Sequence, residues 1–133
     1  MSDILPLTPE EKLLTELVRQ ALGDRVDRPF EPFAVYDQQL DRIWVCVRDC
    51  STTEKWFKAM CIYEANYPEK DEEPIVGFSI ECAGALVKYA GLDQPVDLTR
   101  LLELVEVLYP NLTDQVVIAR KLLTQLKTTI VQI

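Results

Sequence analysis

The hydrophobic periodicity of the chain changes twice, and these changes limit the folds that the sequence can adopt. In residues 8–23, and in most of the chain after residue 82, apolar residues recur three and four positions apart, which is helical spacing. Residues 33–81 instead carry short apolar runs and alternating patterns between polar stretches, as antiparallel strands do. The order helix, strands, helices predicts a single α+β domain over residues 1–133.

The N-terminal segment has the start and stop signals of a helix. Thr8 and Glu11 can form a capping box around Pro9, which suits the first helical position. Leucine and valine side chains then recur on one face, and Gly23 can end a helix in the left-handed conformation. We therefore expect a helix over residues 8–23.

Residues 33–36 and 43–47 are apolar runs around a short polar turn, and they predict a β-hairpin. Residues 75–81 alternate like a further strand and follow an acidic loop, residues 66–74. The segment 52–65 is compatible with a helix or a strand, because it has a possible capping box and also alternates at a period of two. A strand there is the favoured interpretation, and it gives a four-stranded antiparallel β-meander.

Helical spacing returns at Cys82. One segment ends at Gly91, a second runs from Asp97 to Pro110, and a third begins near Thr113 and continues to Ile130. The expected fold is therefore an N-terminal helix, a four-stranded antiparallel β-meander, and two or three C-terminal helices packed on the sheet.

Four short motifs in the middle of the chain combine acidic turn residues with apolar strand residues. They are Tyr36-Asp37, Asp41-Arg42-Ile43-Trp44-Val45, Thr53-Glu54 and Ile75-Val76-Gly77-Phe78-Ser79-Ile80-Glu81. With this pattern, residues 33–84 resemble the DUF2283 type of uncharacterised β-meander domain. The resemblance implies antiparallel strands in sequence order. It implies no activity, so no functional residue is carried over from it.

The charge and the missing histidine exclude several classes of function. The formal net charge is −8, from 22 acidic and 14 basic residues, and such a surface disfavours binding to a phosphate backbone. The chain has no histidine, which excludes Ser-His-Asp and Cys-His catalysis. No catalytic residue is therefore assigned.

The cysteines and the acidic loop do not predict a metal site. Cys46 and Cys50 have an admissible spacing, but along a strand four residues span about 13 Å, too far to hold one ion. The acidic loop 66–74 lacks the glycine turn of a calcium loop. We expect reduced thiols, a solvated loop, and no metal or cofactor.

Aromatic and apolar side chains are the remaining candidates for function. Aromatic residues on one sheet face can form an interface as well as a core. In the C-terminal segment, apolar residues recur every seven positions, which indicates a second apolar face. The candidate interface residues are Trp44, Trp56, Phe57, Tyr63, Val116, Leu123 and Ile130.

These observations predict a non-enzymatic protein-interaction or accessory module that self-associates as a homodimer. No export signal and no membrane span are recognised, so a cytoplasmic location is expected, with no nucleic-acid or membrane partner. One alternative is an acidic inhibitor or immunity-type protein that binds a basic partner. Another is a histidine-independent enzyme that uses carboxylates or a thiol.

Overall fold

The computed structural model describes residues 8–22 and 29–133. The chain divides into two compact units, one within residues 1–30 and one over residues 31–133. Gly23, where the sequence predicts the end of the first helix, lies outside the described residues. The single domain over residues 1–133 stays a prediction.

The first unit contains helix α1, Pro9–Leu22. The predicted capping box is present: the Glu11 backbone N–H donates to Thr8 Oγ1 at 3.2 Å, and the Thr8 N–H donates to Glu11 Oε2 at 3.2 Å. The apolar stripe of α1 is largely exposed, with Leu13 at 63% and Leu17 at 53%. Within its own unit, no other described element covers this stripe.

The second unit is built on a five-stranded sheet in which all neighbouring strands are antiparallel. The order across the sheet is β1-β2-β5-β4-β3. The expected α+β class is correct, but the four-stranded meander in sequence order is not, because the β1-β2 hairpin pairs with β5. The strands are β1 Phe33–Asp37, β2 Arg42–Cys46, β3 Thr52–Phe57, β4 Met60–Ala65 and β5 Ile75–Glu81.

The extra strand comes from residues 52–65, where the expected single strand is two strands. Phe57 pairs with Met60 at the closed end of the β3-β4 hairpin, and Lys58 between them has a φ of 48°. A positive φ is what a tight hairpin turn needs, although glycine or asparagine normally supplies it. The alternation of polar and apolar residues therefore belongs to two separate strands. The turn that joins them contains no residue that normally signals a turn.

β5 is the central strand and is buried on both faces. Gly77 allows β2 to lie close to it, because a Cβ at this position would be 2.5 Å from the carbonyl oxygen of Val45. Along β5, Phe78 and Ile80 face one side, while Gly77 and Ser79 face the other. These two directions define the two faces of the sheet.

The helices that follow β5 cover one face of the sheet. The described part of the chain contains four α-helices, so three follow the sheet. The C-terminal helix ends at Leu123, and Ile130 lies in a strand rather than in the expected longer helix. The elements are α2 Ala83–Ala90, β6 Val96–Asp97, α3 Leu98–Leu108, a 3-10 turn Pro110–Leu112, α4 Thr113–Leu123 and β7 Ile130–Val131.

The main core lies between these helices and the sheet. Fully buried aliphatic residues of α3 and α4 meet Phe78 and the inward residues of β2 and β4. The residues with no exposed surface include Ile43, Val45, Met60, Phe78, Ile80, Leu98, Leu101, Leu102, Val105 and Val116. No described helix is long and apolar enough to cross a membrane.

A hydrogen-bonded carboxylate joins the β1-β2 hairpin to α2. Asp41 Oδ1 accepts from the Tyr36 hydroxyl at 2.6 Å and from the Gly84 N–H at 2.7 Å, and Oδ2 accepts from the Ala85 N–H at 3.3 Å. Gly84 leaves room for this contact, since a Cβ there would be 2.6 Å from Asp41 Oδ1. The network fixes the end of β2, and with it the direction of the side chains that β2 presents.

Candidate functional site

The face of the sheet opposite α2, α3 and α4 carries most of the aromatic residues of the strands. We call it the open face. The pairing register places one row of side chains across all five strands, since Val35 pairs with Trp44, Trp44 with Ser79, Ser79 with Cys61, and Cys61 with Trp56. The remaining members of the open face are Phe33, Asp37, Arg42, Cys46, Thr52, Glu54, Tyr63, Ala65, Gly77 and Glu81.

Aromatic rings on the open face contact one another edge to face. The Phe33 and Trp44 rings lie 5.1 Å apart at 87°, and the Trp44 and Tyr63 rings lie 6.5 Å apart at 70°. Trp44 remains 41% exposed, Trp56 54% and Val35 43%. Ring contacts of this geometry fix the orientation of the side chains, so the exposed indole surface is held in place.

Arg42 spans the open face from one side of the sheet toward the other. Its guanidinium carbon lies 5.4 Å from the centre of the Trp56 ring, and its Nε lies 2.7 Å from Glu81 Oε1. Two strands, β5 and β4, separate Arg42 from Trp56, and Ser79 and Cys61 are the residues of these strands in line with Trp56. Both of these small residues are fully buried.

A small second core therefore lies beneath the large side chains of the open face. It is formed by Cys61, Tyr63, Ala65 and Val76. The buried Ser79 hydroxyl is satisfied, because it donates to Glu81 Oε1 at 3.0 Å. The outer surface of the indoles is therefore exposed, while the buried residues lie below them.

Burial sets the charge state of the groups on this face. Burial raises the pKa of the Tyr63 hydroxyl and of the Cys61 thiol, so both groups are neutral near pH 7. Burial acts to lower the pKa of Arg42, but the hydrogen bond and charge of Glu81 outweigh it and raise that pKa. The face thus contains neutral aromatic and thiol groups and a paired, charged guanidinium.

Three of the four aromatic residues predicted from the sequence lie together. Trp44, Trp56 and Tyr63 share the open face. Phe57 lies on the opposite face and packs against the main core, so it is not part of this surface. The reason is the turn at Lys58, which ends β3 one residue after Trp56 and leaves Phe57 with the opposite orientation.

The C-terminal residues predicted as interface do not form a surface. Val116 and Leu123 are buried in the main core, so they are not available to a partner, and this part of the prediction is corrected. Ile130 is exposed, but it lies in β7 rather than on a helix. A seven-residue repeat arises on any helix face, including the face that packs inside the chain.

The other members of the open face were missed from the sequence, among them the exposed or charged residues Val35, Arg42 and Glu54. Alternation along β1, β2 and β3 could have assigned them to the same side as the tryptophans. That assignment needs the order of the strands, and the sequence does not supply it. Glu54 is exposed, and in the described part of the chain it forms no ion pair.

The side chains of Cys46 and of the acidic loop form hydrogen bonds and an ion pair within the chain. The Cys46 thiol donates to the carbonyl of Arg48 at 3.2 Å, and Cys50 is exposed. The Arg48 guanidinium lies 2.8 Å from Glu72 Oε2 and donates to the Glu73 carbonyl at 2.9 Å, which fastens the acidic loop. Among the described residues, no three Cys, Asp or Glu side chains converge on a possible metal position.

Comparisons with known proteins identify no relative. Searches against models of protein families, curated proteins and solved structures found no match. The resemblance of residues 33–84 to the DUF2283 type therefore stays a prediction, and the chemistry of the open face is the basis for assigning a function.

Proposed function

We propose that this chain is a non-enzymatic protein-interaction module and that its contact surface is the open face. The observation that carries the proposal is the exposure of Trp44 and Trp56 on one rigid sheet face. Tryptophan is enriched at the energetic centres of protein interfaces, because a large ring buries much area and loses little conformational entropy. A sheet also holds such anchors more precisely than a loop does.

The polar groups of the open face support binding rather than catalysis. Glu81 is engaged by Arg42 and Ser79, so its carboxylate has two partners within the chain. The thiol of Cys61 is buried beneath the large side chains, and its pKa is raised, which disfavours the reactive thiolate. We infer that Glu81 and Cys61 support the indoles by packing and hydrogen bonding and do not act on a substrate.

Self-association is a second part of the proposal and rests on α1. The sequence-based argument for a homodimer used the C-terminal repeat, which is buried, so that argument no longer applies. The exposed stripe of α1, with Leu13, Leu14, Leu17 and Val18, can instead pair with the same stripe of a second copy. Pairing of two amphipathic helices buries such stripes reciprocally.

Affinity capture with matched variants tests the contact surface. We would compare the wild-type chain with a Trp44→Ser/Trp56→Ser variant in a lysate of the source organism. The control is Tyr89→Ser/Val107→Ser, because these two side chains are even more exposed but lie on α2 and α3. We expect a protein retained by the wild type and the control and lost by the open-face variant.

Retention of the same proteins by all three chains would refute the assignment of the open face. Circular dichroism and thermal melting of each variant ensure that a loss of capture does not reflect unfolding. Surface substitutions away from packed features usually change stability by only about 0.5 kcal/mol. Because both indoles also cover the second core, a somewhat larger loss is expected for the open-face variant.

A further inference from the structure

The size of the exposed aromatic surface limits what can cover it. A tryptophan buries up to about 250 Å² when it is fully enclosed, so Trp44 and Trp56 at 41% and 54% exposure together offer at most about 240 Å². Val35 extends this surface along the same row. A stable dimer of whole proteins needs about 800 Å² from each partner. The exposed aromatic surface of the open face therefore suits a single helix or short segment better than a second globular surface.

The charges around the indoles limit the partner further. The Arg42 charge is neutralised by Glu81 at 2.7 Å, and Lys55 of the same strand as Trp56 faces the other side and pairs with Glu64 at 2.6 Å. Glu54, two residues before Trp56 on the open face, forms no ion pair in the described part of the chain and acts on the Arg42 charge only from a greater distance. Arg42 is the cation that interacts with both Glu81 and Glu54, and the two carboxylates leave this group of three side chains with a net negative charge.

The charge of the whole chain has the same sign as the net charge of Arg42, Glu54 and Glu81 together. At a net charge of −8, the chain attracts cationic partners from a distance. A second copy carries the same −8 charge and the same Glu54, so two open faces brought together would repel each other. Charge complementarity therefore selects a basic occupant.

We propose that the occupant of the open face is a basic amphipathic helix, and this inference rests on the proposed function. Its apolar residues, spaced at i, i+3, i+4 and i+7, cover Trp44 and Trp56, as in other helix-in-groove complexes. A lysine or arginine on one flank pairs with Glu54. The indole faces can also accept a partner's cation, as Trp56 already does with Arg42.

The tryptophans themselves report binding, because the chain has two and both lie on the open face. The probe is a synthetic helix of about 18 leucine and lysine residues with leucine at those spacings. The comparison probe has glutamate in place of every lysine. Titration of the wild-type chain with the lysine helix should shift tryptophan emission to shorter wavelength, and the glutamate helix should give no shift.

Variants of the protein separate the apolar contribution from the charge contribution, with fluorescently labelled helix and anisotropy as the readout. Trp44→Ser/Trp56→Ser should weaken binding of the lysine helix at least tenfold, on the order expected for interface anchors. Glu54→Gln should weaken it by about threefold and reduce its dependence on salt, as for an exposed ion pair. Tyr89→Ser/Val107→Ser should leave it unchanged.

Equal binding of the two helices, or binding of the lysine helix that is unaffected by loss of the tryptophans, would overturn the inference. So would the absence of binding at millimolar helix concentration. A shift in tryptophan emission caused by concentrating the chain alone would show that a second copy is the occupant, which would also overturn it. In each case, capture that depends on Trp44 and Trp56 would still stand, so failure of this inference is distinguishable from failure of the proposed function.

Discussion

Substitution of Gly84 by alanine should destabilise the chain when Asp41 and Tyr36 are present and stabilise it when they are replaced. Alanine stabilises a helix by up to about 1 kcal/mol relative to glycine, and Gly84 is the second residue of α2. Here the new methyl carbon would be 2.6 Å from Asp41 Oδ1 and 2.8 Å from the Tyr36 hydroxyl. The carboxylate must then move away, and it loses its hydrogen bonds to Tyr36 and to the Gly84 N–H.

The magnitude follows from these two hydrogen bonds. Hydrogen bonds to a charged group contribute about 1.5–3 kcal/mol each, so their loss exceeds the gain in helix propensity. Gly84→Ala should lower the free energy of unfolding by about 2–4 kcal/mol, which corresponds to a fall in Tm of about 6–20 °C for a domain of this size. Urea denaturation followed by circular dichroism measures the difference.

A double-mutant comparison isolates the cause. In a Tyr36→Phe/Asp41→Gly background the carboxylate and the hydroxyl are absent, and glycine suits the φ of 49° at position 41. Gly84→Ala should then stabilise by about 0.5–1 kcal/mol. An equal destabilisation in both backgrounds would refute the steric reasoning, because it would place the cost of the methyl group elsewhere.

Three further predictions follow from the contacts described. Arg48→Ala should lower the free energy of unfolding by about 1–2 kcal/mol in urea, since it removes two hydrogen bonds, while Glu73→Gln should have no effect because Arg48 binds the Glu73 carbonyl. The hydrogen bond from the Thr99 N–H lowers the pKa of Asp97 below the value of the carboxyl in the unfolded chain. The ionised Asp97 carboxylate therefore stabilises the folded chain fully at pH values above its unfolded pKa, and this stabilisation is lost as the pH falls through the folded pKa. Asp97→Asn keeps a cap, so the wild type should lose more in Tm than the variant between about pH 5 and pH 2, and parallel curves would contradict this. A Leu13→Gln/Leu17→Gln variant should sediment at the chain mass of 15.3 kDa and the wild type at twice that value, whereas a monomeric wild type at micromolar concentration would exclude the homodimer.

The parts of the fold that depend on local signals were predictable from the sequence. The capping box of Thr8 and Glu11, the first hairpin and the positions of the helix starts all depend on residues a few positions apart. The shared face of Trp44 and Trp56 was also predictable in part, because alternation within each strand is local. These features follow from backbone geometry and short-range hydrogen bonds.

The rest depends on signals that the sequence lacks or on pairing between distant residues. Lys58 turns the chain with a positive φ without glycine or asparagine, so one expected strand proved to be two. No glycine or proline follows the end of α4 at Leu123, so the helical spacing of apolar residues predicts a helix that continues to Ile130. The pairing of β2 with β5 joins residues more than thirty positions apart, and it decides which side chains share the open face.

Fluorine NMR of the chain labelled with fluorotryptophan tests the assignment of the open face most directly. The chain has two tryptophans, Trp44 and Trp56, so the spectrum contains one resonance from each, and substitution of each in turn assigns them. The titrant is the protein captured by the wild type, with complex formation verified independently by sedimentation. We predict that both resonances shift or broaden as the complex forms. A complex that forms while both resonances stay unchanged would contradict the open face as the contact surface.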